Sequence, residues 1–195
     1  PTVTQHHLPA LNRIDVSADR VCAILRSIPV AKACGPDGIS ARIVHECASE
    51  LSVPLARLCH MSLSQGIFPS RWKQANIVPI HKKGDKKDPQ NYRSVSLLSL
   101  FGKILEKIVN DELLRHAAPV LSPAQHGFLP GRSCSSNLTT YLHTAWGSIS
   151  DGCQTDAIYT DFSAAFQSVN HRLLLFKLSE SYGISGKIFD WFASY

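Results

Sequence analysis

The most suggestive carboxylate in this 195-residue sequence is Asp161. It ends the apolar run Ala157-Ile158-Tyr159-Thr160, which predicts a buried strand, and small and aromatic residues follow it. A carboxylate leaving such a strand is well placed for magnesium, which takes carboxylate oxygens, waters and substrate phosphates rather than a full protein cage. On pattern alone, an Asp ending a strand is more often an ordinary helix cap. Other familiar chemistry finds little support. Gly127-Phe128-Leu129-Pro130-Gly131-Arg132-Ser133 has three residues between its glycines where a phosphate loop needs four, and Arg where Lys belongs. His45-Glu46 lacks the second His of a zinc-protease helix, and no G-x-S-x-G elbow occurs. The nine histidines show no metal-ligand spacing. Cysteines 22, 34, 47, 59, 134 and 153 form no C-x-x-C pair, which argues against a zinc knuckle or redox motif. Reduced thiols are expected, with Cys47 and Cys59 buried in apolar helical patterns.

The second feature with chemical meaning is charge. The chain carries 20 Lys+Arg against 15 Asp+Glu, a formal net charge of +5. Residues 71–107 hold nine basic and three acidic residues, a local +6, while the remainder carries eleven basic and twelve acidic. The whole excess therefore sits in 37 residues and points to a polyanion partner. At 44% hydrophobic and 18% charged the composition is globular, and no apolar run approaches the ~20 residues of a membrane span. No secretory signal is read at the N-terminus, and the cysteines are expected to be reduced and intracellular.

These residues need elements to position them. Residues 1–16 read as a flexible lead-in. Ser17 should cap a helix to about Ile28, with Val21, Ile24, Leu25 and Ile28 on one face. Gly35-Pro36-Asp37-Gly38 is a turn. Ser40 should open a helix with Ile43, Val44, Cys47 and Leu51 on one stripe. Pro54 should divide it from a second, carrying Leu55, Leu58, Cys59 and Leu63 and ended by Gly66. Asn76–Ile80 and Tyr92–Leu98 predict strands joined by the basic loop from His81 to Lys87, with Pro79 marking an edge or a bulge. Ser99 should cap a helix through Ile104, Leu105, Ile108, Val109 and Leu113. Leu138, Tyr141, Leu142, Ala145, Trp146 and Ile149 mark another, and helices are expected at about 172–182 and 185–195. The class is α+β and helix-rich, and the last helix runs to Tyr195 without a breaker, as if the chain were incomplete at its C-terminus.

Five blocks give the sequence a family likeness. They are Gly35-Pro36-Asp37-Gly38-Ile39; Trp72-Lys73-Gln74-Ala75 through Pro79-Ile80-His81-Lys82-Lys83-Gly84-Asp85; Tyr92-Arg93-Ser94-Val95-Ser96-Leu97-Leu98-Ser99; Gln125-His126-Gly127-Phe128 with Pro130-Gly131-Arg132-Ser133; and Asp161-Phe162-Ser163-Ala164-Ala165-Phe166. In this order they resemble the reverse transcriptase domain of non-LTR (LINE-type, jockey-like) retrotransposons, from about residue 17 to the last. The resemblance implies a right-hand polymerase: a helical extension at 17–69, fingers at 70–153 and the start of the palm at 154–195. It implies Asp161 as the first catalytic aspartate, ligating two Mg2+ (Mn2+ as an alternative ion) beside the Phe162 backbone carbonyl. It implies Lys82, Lys83 and Arg93 on the nucleotide triphosphate and Phe166 under the incoming sugar. Lys86, Lys87, Gly131 and Arg132 would meet nucleic acid.

The partners so implied are an RNA template, a DNA primer and deoxynucleoside triphosphates, with no membrane, in the cytoplasm and nucleus. The sequence departs from the family pattern at Ser94 (usually Pro), Leu129 (usually Arg), Ala164 (usually Lys) and Gln167 (usually Asp). The family's aromatic-Ala-Asp-Asp block would lie beyond Tyr195, so the chain alone is expected to be inactive. The competing expectation is a non-catalytic nucleic-acid-binding module from a truncated retroelement.

Overall fold

The computed structural model describes residues 8–162 and 165–195. Seven α-helices, three short 3-10 helices and one antiparallel strand pair account for the regular structure of those residues, so the class is α+β and helix-rich. The chain divides into two compact units: the part up to His116 together with Arg172–Tyr195, and Ala117–His171.

In the first unit, α1 (Ala18–Ser27) begins where Ser17, in extended conformation, accepts the Arg20 N–H, and it buries Val21 and Leu25. Ser40 caps α2 (Ala41–Glu46) in the same way. The next helix, α3 (Ala48–Gln65), runs straight through Pro54. The break falls at Cys47 instead, where φ −92° and ψ 25° leave the helical region. An interior proline orphans the carbonyl four residues back. Here that residue is Glu50, and both Glu50 and Pro54 are exposed, so water can satisfy the freed oxygen. Because the turn at Cys47 resets the helical phase, Cys47, Ile43 and Leu58 face solvent, while Val44, Leu55, Cys59 and Leu63 are buried. All six cysteines are unpaired, and burial pushes the Cys59 thiol up to about 12.

Strands β1 (Ala75–His81) and β2 (Tyr92–Leu98) pair antiparallel with Pro79 opposite Ser94. The Lys82 N–H donates to Asn91 O at 2.8 Å, so by alternation the Ile80–Arg93 and Val78–Val95 pairs carry the ladder bonds. Pro79 falls at a pair that needs none, which is how a residue without an N–H sits inside a strand.

Helix α4 (Leu100–Ala117) follows, burying Leu100, Ile104, Leu105, Ile108 and Val109. Ser99 fills the cap position, and its carbonyl accepts the Lys103 N–H at 3.2 Å. Its buried hydroxyl, however, has no partner among the described residues. Beside it lies the Gly35–Gly38 turn: a Cβ on Gly35 would stand 2.6 Å from Leu98 C and O. The turn thus meets the β2–α4 junction backbone to backbone, a contact open to glycine alone.

The core closes with α6 (His171–Glu180) and α7 (Gly186–Ser194). Trp191, 2% exposed, donates its indole N–H to Ser62 Oγ on α3 at 3.0 Å and packs edge-on to Phe68. Residues 8–16 are no flexible lead-in. Leu11 N–H donates to Gly183 O at 3.0 Å, Ser185 N–H donates to Leu11 O at 3.1 Å, and Ile14 is buried. The earlier part of that segment, 1–7, lies outside the described residues.

The second unit holds α5 (Cys134–Ser150), started by a capping box in which Ser133 and Ser136 satisfy each other's backbone N–H groups. The helix forms where its spacing predicts, but its apolar stripe is not buried: Leu138, Leu142 and Ile149 are exposed and Trp146 is 72% exposed. The buried strand expected over 157–162 is not formed. The segment carries no ladder bonds, and Ile158 and Phe162 are more than 80% exposed. A strand persists only when another pairs with it, and the described residues of this unit include none. No helix of the described residues is long and apolar enough to cross a membrane.

Candidate functional site

The basic hairpin loop is an ordered platform. Asp85 Oδ1 accepts the Lys87 N–H at 2.9 Å and Asp88 Oδ1 accepts the Gln90 N–H at 2.9 Å. Asn91 Nδ2 donates to Asp85 O at 2.9 Å, and Tyr92 OH donates to Lys86 O at 2.8 Å. Gly84 turns the chain at φ 84°, in the left-handed region, with Asn91 packed against it. The two acidic residues of the loop therefore bond to backbone. The side chains of Lys82, Lys83, Lys86, Lys87 and Arg93 are all exposed and have no hydrogen bond or ion pair among the described residues. Five unpartnered cations on a hydrogen-bonded hairpin make an anion-binding surface.

Strand alternation divides that surface. Arg93 stands opposite Ile80, on the face that also carries Val78 and Val95. Lys82 continues the ladder through its bond to Asn91 and by alternation belongs to the Arg93 face. Tyr92, Ser94, Pro79 and His81 share the opposite face, where the His81 and Tyr92 rings meet edge-on at 5.3 Å.

In the second unit, Asp161 and Phe162 lie exposed in the extended segment, and the Asp161 carboxylate has no hydrogen-bond or ion-pair partner among the described residues. No group of three or more His, Cys, Asp or Glu side chains converges among those residues. The described residues thus do not complete a two-ion site around Asp161. Ser163 and Ala164, including the departure at 164, lie outside the described residues. Phe166 and Gln167 fall in an exposed turn.

The structure adds a residue that spacing did not single out. Phe128 sits at φ 62°, the one non-glycine positive φ of the described residues, and its ring meets Phe166 edge-on with centroids 6.1 Å apart. Two sequence blocks, 125–133 and 161–166, therefore touch through their aromatics. The only signal available was an aromatic following Gly127. Just behind, buried His126 places Nδ1 2.9 Å from Ser136 Oγ, tying this block to the first turn of α5. Gly131, at φ 73°, and Arg132 complete the turn before the helix, with the Arg132 N–H donating to Leu129 O at 3.3 Å. Arg132 is exposed.

Residues 80–194, which contain most of the hairpin and the Asp161 block, match the family model described as reverse transcriptase (RNA-dependent DNA polymerase). The chain belongs to the reverse transcriptase family. It is 28% identical over 165 residues to the RNA-directed DNA polymerase from mobile element jockey of Drosophila melanogaster, covering 83% of this chain and 18% of that protein. It is 29% identical over 176 residues to the Retrovirus-related Pol polyprotein from type-1 retrotransposable element R1 of Bradysia coprophila, covering 86% and 17%. Its likeness to the Transposon TX1 uncharacterized 149 kDa protein of Xenopus laevis is 27% over 160 residues, covering 82% and 12%. Its relatives are thus products of non-LTR retrotransposons, and the chain spans less than a fifth of the length of each of these three. The reverse transcriptase family is generally dependent on divalent metal ions.

Proposed function

We propose that this chain supplies the fingers and the first part of the palm of a non-LTR retrotransposon RNA-directed DNA polymerase. The division at 17–69, 70–153 and 154–195 belongs to this proposal. The complete polypeptide extends a DNA 3′-hydroxyl on an RNA template with deoxynucleoside triphosphates, inside the cell. The observation that carries this reading is the family match over 80–194, which joins the unpartnered cations of the hairpin to the Asp161 block in one family.

When bound, divalent ions would stabilise negative charge on the reacting phosphate oxygens. Toward them this chain offers the Asp161 carboxylate and the Phe162 carbonyl; the remaining ligands must come from elsewhere. Lys82, Lys83 and Arg93 hold the triphosphate, Arg93 through its planar fork. Phe166 packs under the incoming sugar. Lys86, Lys87, Gly131 and Arg132 meet nucleic-acid backbone without reading sequence.

Because no group of three or more His, Cys, Asp or Glu side chains gathers at Asp161 among the described residues, the 195-residue chain by itself does not polymerise. Primer extension on an RNA template with magnesium tests this. The isolated chain should give no product, whereas the longer polypeptide that contains it should extend the primer and lose that activity in Asp161→Ala. Extension by the isolated chain, abolished by the same substitution, would overturn the inactivity. The incomplete ligand set at Asp161 and, independently of it, the five free cations of the hairpin favour a second reading for the chain taken alone, a nucleic-acid-binding module without catalysis. Salt-dependent binding of an RNA–DNA hybrid without any extension in the longer polypeptide would favour it.

A further inference from the structure

Within the first unit, α4, α7 and the turn after α1 line a cavity of about 470 Å³. None of the residues assigned above to nucleotide or nucleic acid takes part in it. One wall is apolar. Trp191 stacks on Tyr195 with centroids 5.4 Å apart and meets Phe192 edge-on, also at 5.4 Å, while Val109 and Leu113 of α4 add aliphatic surface. The other wall is charged. Lys103, Glu106, Lys107 and Asn110 follow i, i+3, i+4, i+7 spacing and so share one stripe of α4. Lys32 joins them from the turn, where its N–H donates to Pro29 O at 3.0 Å. These charges are not equivalent. Lys107 is paired to Asp111 at 2.6 Å, and Glu106 accepts the Tyr195 hydroxyl at 3.2 Å. The ammonium groups of Lys32 and Lys103 have no hydrogen bond or ion pair among the described residues. Burial and the positive charge of Lys32 lower the Lys103 pKa, and Glu106 offsets only part of this.

Two ammonium groups that repel each other beside an apolar wall lack a counter-ion, and an anion placed between them removes the repulsion. The wall decides what kind of anion. A bare phosphate or a phosphate backbone would meet the lysines and leave the aromatic surface unused, and Glu106 in the same stripe repels a dense dianion. The free cations are also lysines, without the planar fork that arginine offers to phosphate. A ligand that uses both walls carries a bulky apolar group with a single carboxylate next to it. A polypeptide supplies this wherever Asp or Glu adjoins Phe or Leu, and the cavity lies within the ~300–1,000 Å³ range of specific binding pockets. We infer that this cavity docks an acidic, apolar segment of a partner protein, its Phe or Leu against Phe192 and Tyr195 and its carboxylate between Lys32 and Lys103. The inference is independent of the polymerase reading, and its failure leaves that reading in place.

The test selects phage-displayed random peptides on the immobilised 195-residue chain and measures the enriched ones as fluorescein-labelled synthetic peptides. Selection should enrich an acid beside Phe or Leu. Lys32→Ala/Lys103→Ala should weaken those peptides about tenfold, whereas Lys86→Ala/Lys87→Ala, which removes the same charge from the hairpin, should change them less than about twofold. Asn110 is exposed and lines the cavity, so it tests the sign of the charge without touching the core. Asn110→Glu should weaken binding about tenfold and Asn110→Arg should not, with the thermal midpoint in place in both. No enrichment, or enrichment of neutral apolar peptides indifferent to the Lys32/Lys103 pair, overturns the inference. So does equal weakening by the two lysine pairs, which would reduce the effect to overall charge. An unstructured RNA that binds more tightly than any enriched peptide and is lost in Asn110→Glu would make the cavity a nucleic-acid site and overturn the peptide assignment.

Discussion

Arg20 on α1 and Glu112 on α4 form an ion pair at 2.6 Å, and the same guanidinium donates to Ile108 O at 3.2 Å. Arg115 also bonds the Glu112 carboxylate, so one acid serves two arginines. Burial pushes the Glu112 carboxyl upward, but the hydrogen bonds and charges of Arg115 and Arg20 outweigh it and hold its pKa below the ordinary value. The stability this contributes is complete above the unfolded pKa and is lost as pH falls through the folded one. Glu112→Gln should lower stability near neutral pH by on the order of 1–2 kcal/mol, between exposed and buried pairs. It should also flatten the acid limb of a plot of thermal midpoint against pH. An unchanged acid limb in the variant would show that Glu112 does not control it.

Gly35→Ala should destabilise the first unit by about 1–3 kcal/mol, because the new methyl must push apart two backbones. Gly38 makes the comparison sharp: it has φ 67°, yet a Cβ there meets nothing within 4 Å. Gly38→Ala should therefore cost only the left-handed strain, about 1 kcal/mol. Urea midpoints decide between them, and a larger loss at 38 than at 35 would refute the close-approach argument.

Ser99→Ala should be neutral or stabilising, although Ser99 occupies a helix cap position. Replacing a bonded cap serine usually costs about 1 kcal/mol. Here the hydroxyl is buried without a partner among the described residues, and removing an unsatisfied group recovers a desolvation cost of about 1–3 kcal/mol. A drop of 1 kcal/mol or more in chemical denaturation would mean that the hydroxyl has a partner after all.

Trp146 and Trp191 should report on opposite environments. With Trp146 72% exposed and Trp191 2% exposed, iodide should quench mainly the former. Trp146→Phe should remove most of the quenchable, red-shifted emission and change stability by less than about 0.5 kcal/mol. Equal quenching in the variant and the unaltered chain would place Trp146 under cover.

What the sequence made legible was local. Ser17 and Ser40 cap helices because a short hydroxyl satisfies a free N–H wherever it stands. Strand β2 occupies the predicted Tyr92–Leu98 because its own turn chemistry closes the hairpin. What failed depended on partners. The stripe on α5 reports an amphipathic helix but not what covers it, and the segment 157–162 has strand composition without a neighbouring strand. The break at Cys47 was hidden because Pro54 is the louder signal, and exposure of Glu50 removed its cost. The contact between Phe128 and Phe166 joins positions 38 residues apart, beyond the reach of any spacing rule.

The parallel bridge between Leu11 and Ile184 has a consequence for biosynthesis. The first unit is discontinuous: its opening segment finds its hydrogen-bond partners only at Gly183 and Ser185, more than 170 residues later. A nascent chain leaving the ribosome at about 5–20 residues per second must carry Leu11 and Ile14 unpaired through nearly the whole of this sequence. Residues 117–171 emerge in that interval, before Arg172–Tyr195 complete the first unit. The core that holds Trp191 must close after them.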